Sequence, residues 1–295
     1  MPALISVFIA VFTLFFVIQP NNSSSECFLW KVKINESIFY LAGSIHAAKA
    51  ENYPLPKDYE KKYKSADKVI FELAEDFDTI EKQLFQYTQK DKLPETQYLN
   101  QHLSAECIEK LENIFDKESL NSYFKYEVWV LNMAIAGKKS KLIGYDPTLA
   151  VDNYFHDLAR ADNKTIIGLD SLNSQIELFE FDVPFETQLK IIENAIQNME
   201  IQAKNEAPLY KSYFENNIKE FEAEFTKPYS SDNPKIKQMY DLVFTNRNRK
   251  WVNEFERLSI QEPGKYFVLV GTGHYFGDNN IRELLEEKGY LVQKI

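Results

Sequence analysis

Near each end of the 295-residue chain, an apolar and β-favouring run leads into a Gly-x-x-His segment. Ile38–Leu41 precedes Gly43-Ser44-Ile45-His46, and Tyr266–Val270 passes directly into Gly271-Thr272-Gly273-His274. The chain has only nine glycines and four histidines, so two placements of this kind are more than chance spacing supplies. This pairing constrains the fold: both runs read as strands of an α/β sheet. Ligands of open α/β sheets bind outside the carboxyl ends of the strands. Glycine lets the backbone turn sharply there. A histidine just beyond the turn points into the crevice, and imidazole suits Zn, Fe, Co or Mn.

The rest of the chain agrees with this reading. Phe28–Ile34 and Ile38–Leu41, around Asn35-Glu36, read as a β-hairpin. Lys68–Leu73 reads as a short buried strand. The middle is helical in pattern. Helices are expected after Ser104, from Phe124 to a stop near Gly137, and near Leu149–Ala161. Residues 171–226 are helical with breaks at Pro184 and Pro208, and one long helix is expected over Ile236–Leu258. Lys141–Gly144 and Thr165–Gly168 are strand candidates, and Pro228–Pro234 reads as an exposed loop. A helix over Asn280–Lys288 and a strand over Tyr290–Val292 close the chain. The fold class is α/β (or α+β), with a central mixed sheet formed by the N- and C-terminal segments around a mostly helical middle region.

Composition excludes some functions. Hydrophobic residues make up 44% of the chain, so a sizeable core can be buried. The formal net charge is −10, which argues against nucleic acid or an anionic membrane surface as main partner. Residues 1–25 carry no charged side chain, and the apolar stretch Ala3–Ile18 is followed by small polar residues up to Ser25. That pattern reads as an export signal cleaved before Glu26, which places the mature protein (residues 26–295, one domain) in the periplasm or outside the cell. The alternative is an uncleaved membrane anchor, although the stretch is shorter than the about 20 residues a span needs. Export makes a disulfide between the two cysteines, Cys27 and Cys107, chemically possible. In the chain-entropy model it would contribute about 4 kcal/mol. Two unrelated thiols are the alternative.

Glu72 is the third candidate for the site. In Lys68–Leu73 it shares a face with Ile70, opposite Val69, Phe71 and Leu73. A carboxylate in so apolar a strand is costly to bury without a compensating cation. Together with His46 and His274, Glu72 would make a three-ligand catalytic metal site with room for water. It could equally serve as the general base, or lie beyond the buried part of the strand.

These segments resemble the TraB/GumN family. The resemblance rests on Phe28–Val32, Tyr40–His46, Tyr53-Pro54-Leu55-Pro56, Phe71-Glu72-Leu73 and Val270–His274 through Gly277 to Gly289-Tyr290. Val151-Asp152, Gly168–Ser171 with Gln175, and Arg247-Asn248 with Trp251 also match. Asp170 departs from the pattern, standing where Glu is usual, and Asn246 stands where an acid is common. The family includes the Tiki metalloproteases, which cut the amino terminus of Wnt ligands, and bacterial proteins that control peptide pheromones. The resemblance therefore implies a metal-dependent hydrolase of the peptidase or protease type, with a divalent ion (Mn, Co or Zn) and a metal-activated water. It implies metal ligands His46, His274 and Glu72, with Glu72 and Arg247 as catalytic residues and a peptide or protein as substrate. Arg247 would stabilise a developing oxyanion, or else form an ordinary salt bridge. Asp152 and Asp170 are weaker candidates, since each could be an N-cap or loop residue. The competing reading is a non-catalytic exported binding protein on the same scaffold. A dinucleotide site at Gly271-x-Gly273 is rejected, because its glycine spacing is off by one and too little chain follows.

Overall fold

A computed structural model describes residues 27–90, 92–178, 184–230 and 232–295. The expected export signal or anchor lies outside the described residues. Among the described residues there are six strands: β1 (Leu29–Ile34), β2 (Ser37–Ser44), β3 (Lys68–Phe71), β4 (Thr165–Gly168), β5 (Lys265–Gly271) and β6 (Val292–Lys294). They form one mixed sheet in the order β4-β3-β5-β2-β1-β6. The hairpin β1/β2 is antiparallel, and its turn is made by Asn35, which adopts a left-handed φ of 52° that asparagine tolerates. β5 pairs in parallel with β2 on one side and β3 on the other. The two ends of the chain are therefore hydrogen-bonded neighbours at the centre of the sheet. β5 is buried from Tyr266 to Gly271, which explains its unbroken apolar sequence.

The helices are α1 (Lys57–Ser65), α2 (Phe77–Lys90), α3 (Ala105–Ile114), α4 (Lys117–Tyr123), α5 (Val128–Leu142), α6 (Val151–Ala161), α7 (Leu172–Ile176), α8 (Phe185–Gln197), α9 (Met199–Phe214), α10 (Ile218–Thr226), α11 (Pro234–Tyr240), α12 (Asn246–Gln261) and α13 (Ile281–Glu287). The chain divides into two compact units, and the larger one comprises Glu26–Ile80, Leu149–Phe179 and Glu206–Ile295. It holds the whole sheet, and its core includes Phe39, Phe155, Trp251, Phe255 and Phe267. The described residues of the smaller unit, 81–90, 92–148 and 184–205, are mostly helical and have a separate core that includes Leu99, Leu111, Leu131, Ile135 and Ile192. Among the described residues no helix is long and apolar enough to cross a membrane.

The structure corrects several sequence expectations. Lys141–Gly144 is not a strand: α5 runs on to Leu142, and Gly144 ends the turn with a left-handed φ of 83°. Gly137 does not stop that helix, and Pro208 lies inside α9 instead of breaking it. The expected long helix is three pieces, because five residues of π-helix, Asp241–Thr245, separate α11 from α12. Of the two readings of the cysteines, the structure has the unrelated thiols: Cys27 and Cys107 are free, each buried in a separate core cluster.

Candidate active site

The parallel register brings the two Gly-x-x-His segments together. Gly43 pairs with Val270 and Ser44 with Gly271, so both histidines follow the carboxyl ends of adjacent strands. β3 flanks β5 on the other side with Phe71 opposite Leu269, and Glu72 is the next residue along. Hydrogen bonds from Leu169 N–H to Phe71 O and from Asp170 N–H to Glu72 O extend the β3–β4 ladder, setting Asp170 beside Glu72. All of these residues belong to the larger unit.

The side chains converge over Gly271. A Cβ placed on Gly271 would lie 3.2 Å from Glu72 Oε1, 3.4 Å from His46 Nε2 and 3.7 Å from His274 Cδ2. The missing side chain is thus the floor of a small polar space shared by all three predicted residues. Thr272 locks the two turns to each other: its hydroxyl donates to Ser44 O at 2.7 Å, and any Cβ on Gly43 would stand 2.5 Å from that Oγ1.

Each histidine is held at its Nδ1, leaving Nε2 for the site. His46 Nδ1 is 2.9 Å from Asp152 Oδ2, and Asp152 Oδ1 accepts from Ser44 Oγ at 2.6 Å. A carboxylate only accepts, so His46 donates through Nδ1. The charge of Asp152 raises the His46 pKa. The His46 side chain is 70% exposed, whereas that of His274 is 4% exposed. His274 Nδ1 lies 2.6 Å from Asn248 Oδ1, while Asn248 Nδ2 donates to Asn279 O at 3.0 Å. That second bond fixes the amide orientation, so His274 carries its proton on Nδ1 and a lone pair on Nε2. Burial lowers the His274 pKa to about 3, and the ring is neutral. Trp251 and Phe244 wall it in, with ring centroids 4.3 and 5.1 Å away.

Glu72 accepts from Gly271 N–H at 2.8 Å through Oε1. Through Oε2 it accepts from Arg247 Nη2 at 2.5 Å and Gln175 Nε2 at 3.3 Å. Burial disfavours its ionised form, but the Arg247 guanidinium leads the groups that outweigh burial and hold its pKa at about 2. Arg247 also donates through Nε to Asp170 Oδ2 at 2.8 Å, and its Nη1 is 3.3 Å from His274 Nε2. Asp170, 4% exposed, further accepts from Lys250 Nζ and Trp251 Nε1.

The structure therefore brings together His46, Glu72, His274 and Arg247. Two imidazole nitrogens and a carboxylate are a donor set for a first-row divalent ion. Each histidine is backed by an acceptor on its other nitrogen, the arrangement that orients metal-binding imidazoles. The residues therefore fit such an ion in kind. As placed, however, no group of three or more His, Cys, Asp or Glu among the described residues is drawn together closely enough to hold one. Sequence reasoning missed the role of Asn248, of Ser44 and of Lys250. Asn248 was visible only as the neighbour of Arg247. His102 and His156 take no part: His102 Nε2 lies 3.0 Å from Thr96 O and His156 Nε2 3.0 Å from Ala74 O.

The fold and this cluster define an α/β protein with a buried charged site at the carboxyl edge of its central sheet. The chain belongs to the TraB/PrgY/gumN family, whose pattern matches residues 28–294. It is similar to YbaP of Escherichia coli (strain K12), with 24% identity over 84% of this chain and 87% of the relative. Similarity to YbaP of Shigella flexneri is also 24%, over 83% and 87% of the two chains. An uncharacterized protein of Treponema pallidum (strain Nichols) is 21% identical over 91% of this chain and 83% of its own. No solved structure matches the chain.

Proposed function

We propose that the chain is a metal-dependent hydrolase acting on peptides, with His46, Glu72 and His274 as metal ligands. The observation that carries this reading is the convergence of His46 Nε2, Glu72 Oε1 and the His274 ring over Gly271. A divalent ion (Mn, Co or Zn) held by His46, Glu72 and His274 would supply Lewis acidity toward a scissile carbonyl and would lower the pKa of water. The protein's part is positional. Asp152 and Asn248 orient the two imidazoles, Arg247 leads the groups that hold Glu72 ionised, and Gly271 N–H and Gln175 fix its carboxylate in place. Arg247 has five N–H donors: Nε serves Asp170, the pair on Nη1 faces Val243 O and His274 Nε2, and one on Nη2 serves Glu72, which leaves the second Nη2 N–H for a substrate oxygen. A donor of that kind suits a developing oxyanion. The peptide substrate class rests on the family resemblance, and export to the periplasm or beyond rests on residues 1–25. The test is cleavage of a mixed peptide library by metal-loaded protein. Activity that disappears in folded His46→Ala and His274→Ala variants supports the reading, and activity unchanged in both contradicts it.

A second reading is a non-catalytic exported binding protein. It is favoured by one observation: both oxygens of Glu72 are already satisfied by protein donors.

A further inference from the structure

Arg247 stands where a metal would compete with it. Its Nη1 donates to Val243 O at 3.2 Å and faces His274 Nε2 at 3.3 Å, and its Nη2 donates to Glu72 Oε2 at 2.5 Å. Two of the acceptors it uses therefore belong to the groups that would ligate an ion. Its remaining attachments lie off that position: Nε on Asp170, Nη1 on Val243 O, and the guanidinium face 4.5 Å from the centre of the Trp251 ring.

We propose that Arg247 is an internal counter-cation that fills the metal position by proxy, and that an ion binds only as the two Nη groups leave His274 and Glu72 while Nε stays on Asp170. This inference rests on the metal reading above. Three features support it. Glu72 is 15% exposed, and a carboxylate so placed needs a cation in the metal-free protein. Asp170 can keep its hold on Arg247, because Lys250 and Trp251 donate to its other oxygen and fix the carboxylate independently. The guanidinium already occupies a lone pair on each of two would-be ligands, His274 Nε2 and Glu72 Oε2. Arg247 is then a positioning group for metal entry, delivered beside the ion once displaced.

The opposite role, a prop that preorganises Glu72 and His274 for the ion, gives the opposite effect on affinity. Manganese(II) and zinc(II) would be titrated calorimetrically, at one pH and salt, into metal-free full-length wild type, Arg247→Gln, Arg247→Ala and Arg247→Lys. Removing a like charge a few ångströms from the ion is expected to tighten binding at least about tenfold in the Gln and Ala variants. The Lys variant should stay near wild type. Binding that is equal or weaker in the Gln and Ala variants, with wild type binding normally, overturns this inference alone. No ion bound by any of the proteins overturns the metal reading as well. Should the neutral variants fail to fold, nitrogen-15 spectra of the wild-type arginine side chains decide the matter. Zinc should speed hydrogen exchange at the Arg247 Nη groups and leave Nε protected, and unchanged Nη exchange at saturating zinc overturns the inference.

Discussion

The backbone N–H of Gly271 donates to Glu72 Oε1 at 2.8 Å, and a Cβ on Gly271 would stand 3.2 Å from that same oxygen. One residue thus supplies both a hydrogen bond and the space above it. Its φ of −48° is one that alanine adopts readily, so the glycine is required by the neighbouring side chains and not by backbone conformation. Gly271→Ala should therefore fold, at an overpacking cost of about 1–2 kcal/mol in urea unfolding. Its metal uptake should fall at least about tenfold, a loss of some 1.4 kcal/mol in binding. Wild-type uptake in this variant would show that the space over Gly271 is not the seat of an ion.

The two histidines should differ in what they contribute to stability. His274 is buried against Trp251, Phe244 and Asn248, so His274→Ala leaves a cavity and an unpaired amide oxygen. A loss of about 2–4 kcal/mol is expected. His46 is 70% exposed in its side chain, and His46→Ala should cost under about 1 kcal/mol. Denaturant midpoints of the metal-free proteins check this, and equal losses would contradict the placement of the two rings.

Asp170→Asn should be more damaging than a surface charge change. The carboxylate is 4% exposed and serves Arg247, Lys250 and Trp251. Neutralising it leaves Arg247 with only Glu72 as a charged partner, and about 2–4 kcal/mol of stability should be lost. Asp170→Glu, the residue usual at this place in the family resemblance, should recover most of it. Thermal unfolding of both variants tests this; a neutral Asn variant would mean that Asp170 does not anchor Arg247.

Acid should destabilise the metal-free protein in two stages. His274 titrates at about 3 when folded against 6.5 ordinarily, so below pH 6.5 the unfolded chain takes up a proton the native state refuses. Stability then falls with falling pH until about 3. Glu72 titrates at about 2 against 4.5, so its contribution is complete above 4.5 and is lost as pH falls toward 2. His46 has the opposite sign, its pKa being raised by Asp152, but its exposure keeps that contribution small. Urea midpoints across pH 3–7 should show a shallower slope between pH 6.5 and 4.5 for His274→Gln than for wild type. An unaltered slope would contradict a buried neutral His274.

Much of the site was legible because its chemistry is local in sequence. Gly43 and His46, and Gly271 and His274, announce strand-end turns, and a carboxylate in an apolar run singles out Glu72, which stands one residue beyond the end of β3. What was not legible depends on pairings across the fold. Asn248 meets His274 from 26 positions away, and an asparagine inside a helix reads only as a weak helix former. Asp152 was open to reading as a cap, yet it lies within α6, and its carboxylate clamps Ser44 and His46. Lys141–Gly144 has the pattern of a strand, yet α5 runs through Leu142, because short apolar runs do not distinguish a strand from the end of a buried helix. The π-helical turn at Asp241–Thr245 leaves no mark in the 3.6-residue pattern, yet its Val243 carbonyl accepts from Arg247.

The most direct test of a shared centre is metal titration of three metal-free proteins: wild type, His46→Ala and His274→Ala. One divalent ion (Mn, Co or Zn) bound per wild-type chain, with affinity lost by at least about a hundredfold in each single variant, is the expected result, since removing a first ligand costs at least as much as removing its supporting partner. A wild type that binds none of the three ions, or variants that bind as wild type does, would contradict it.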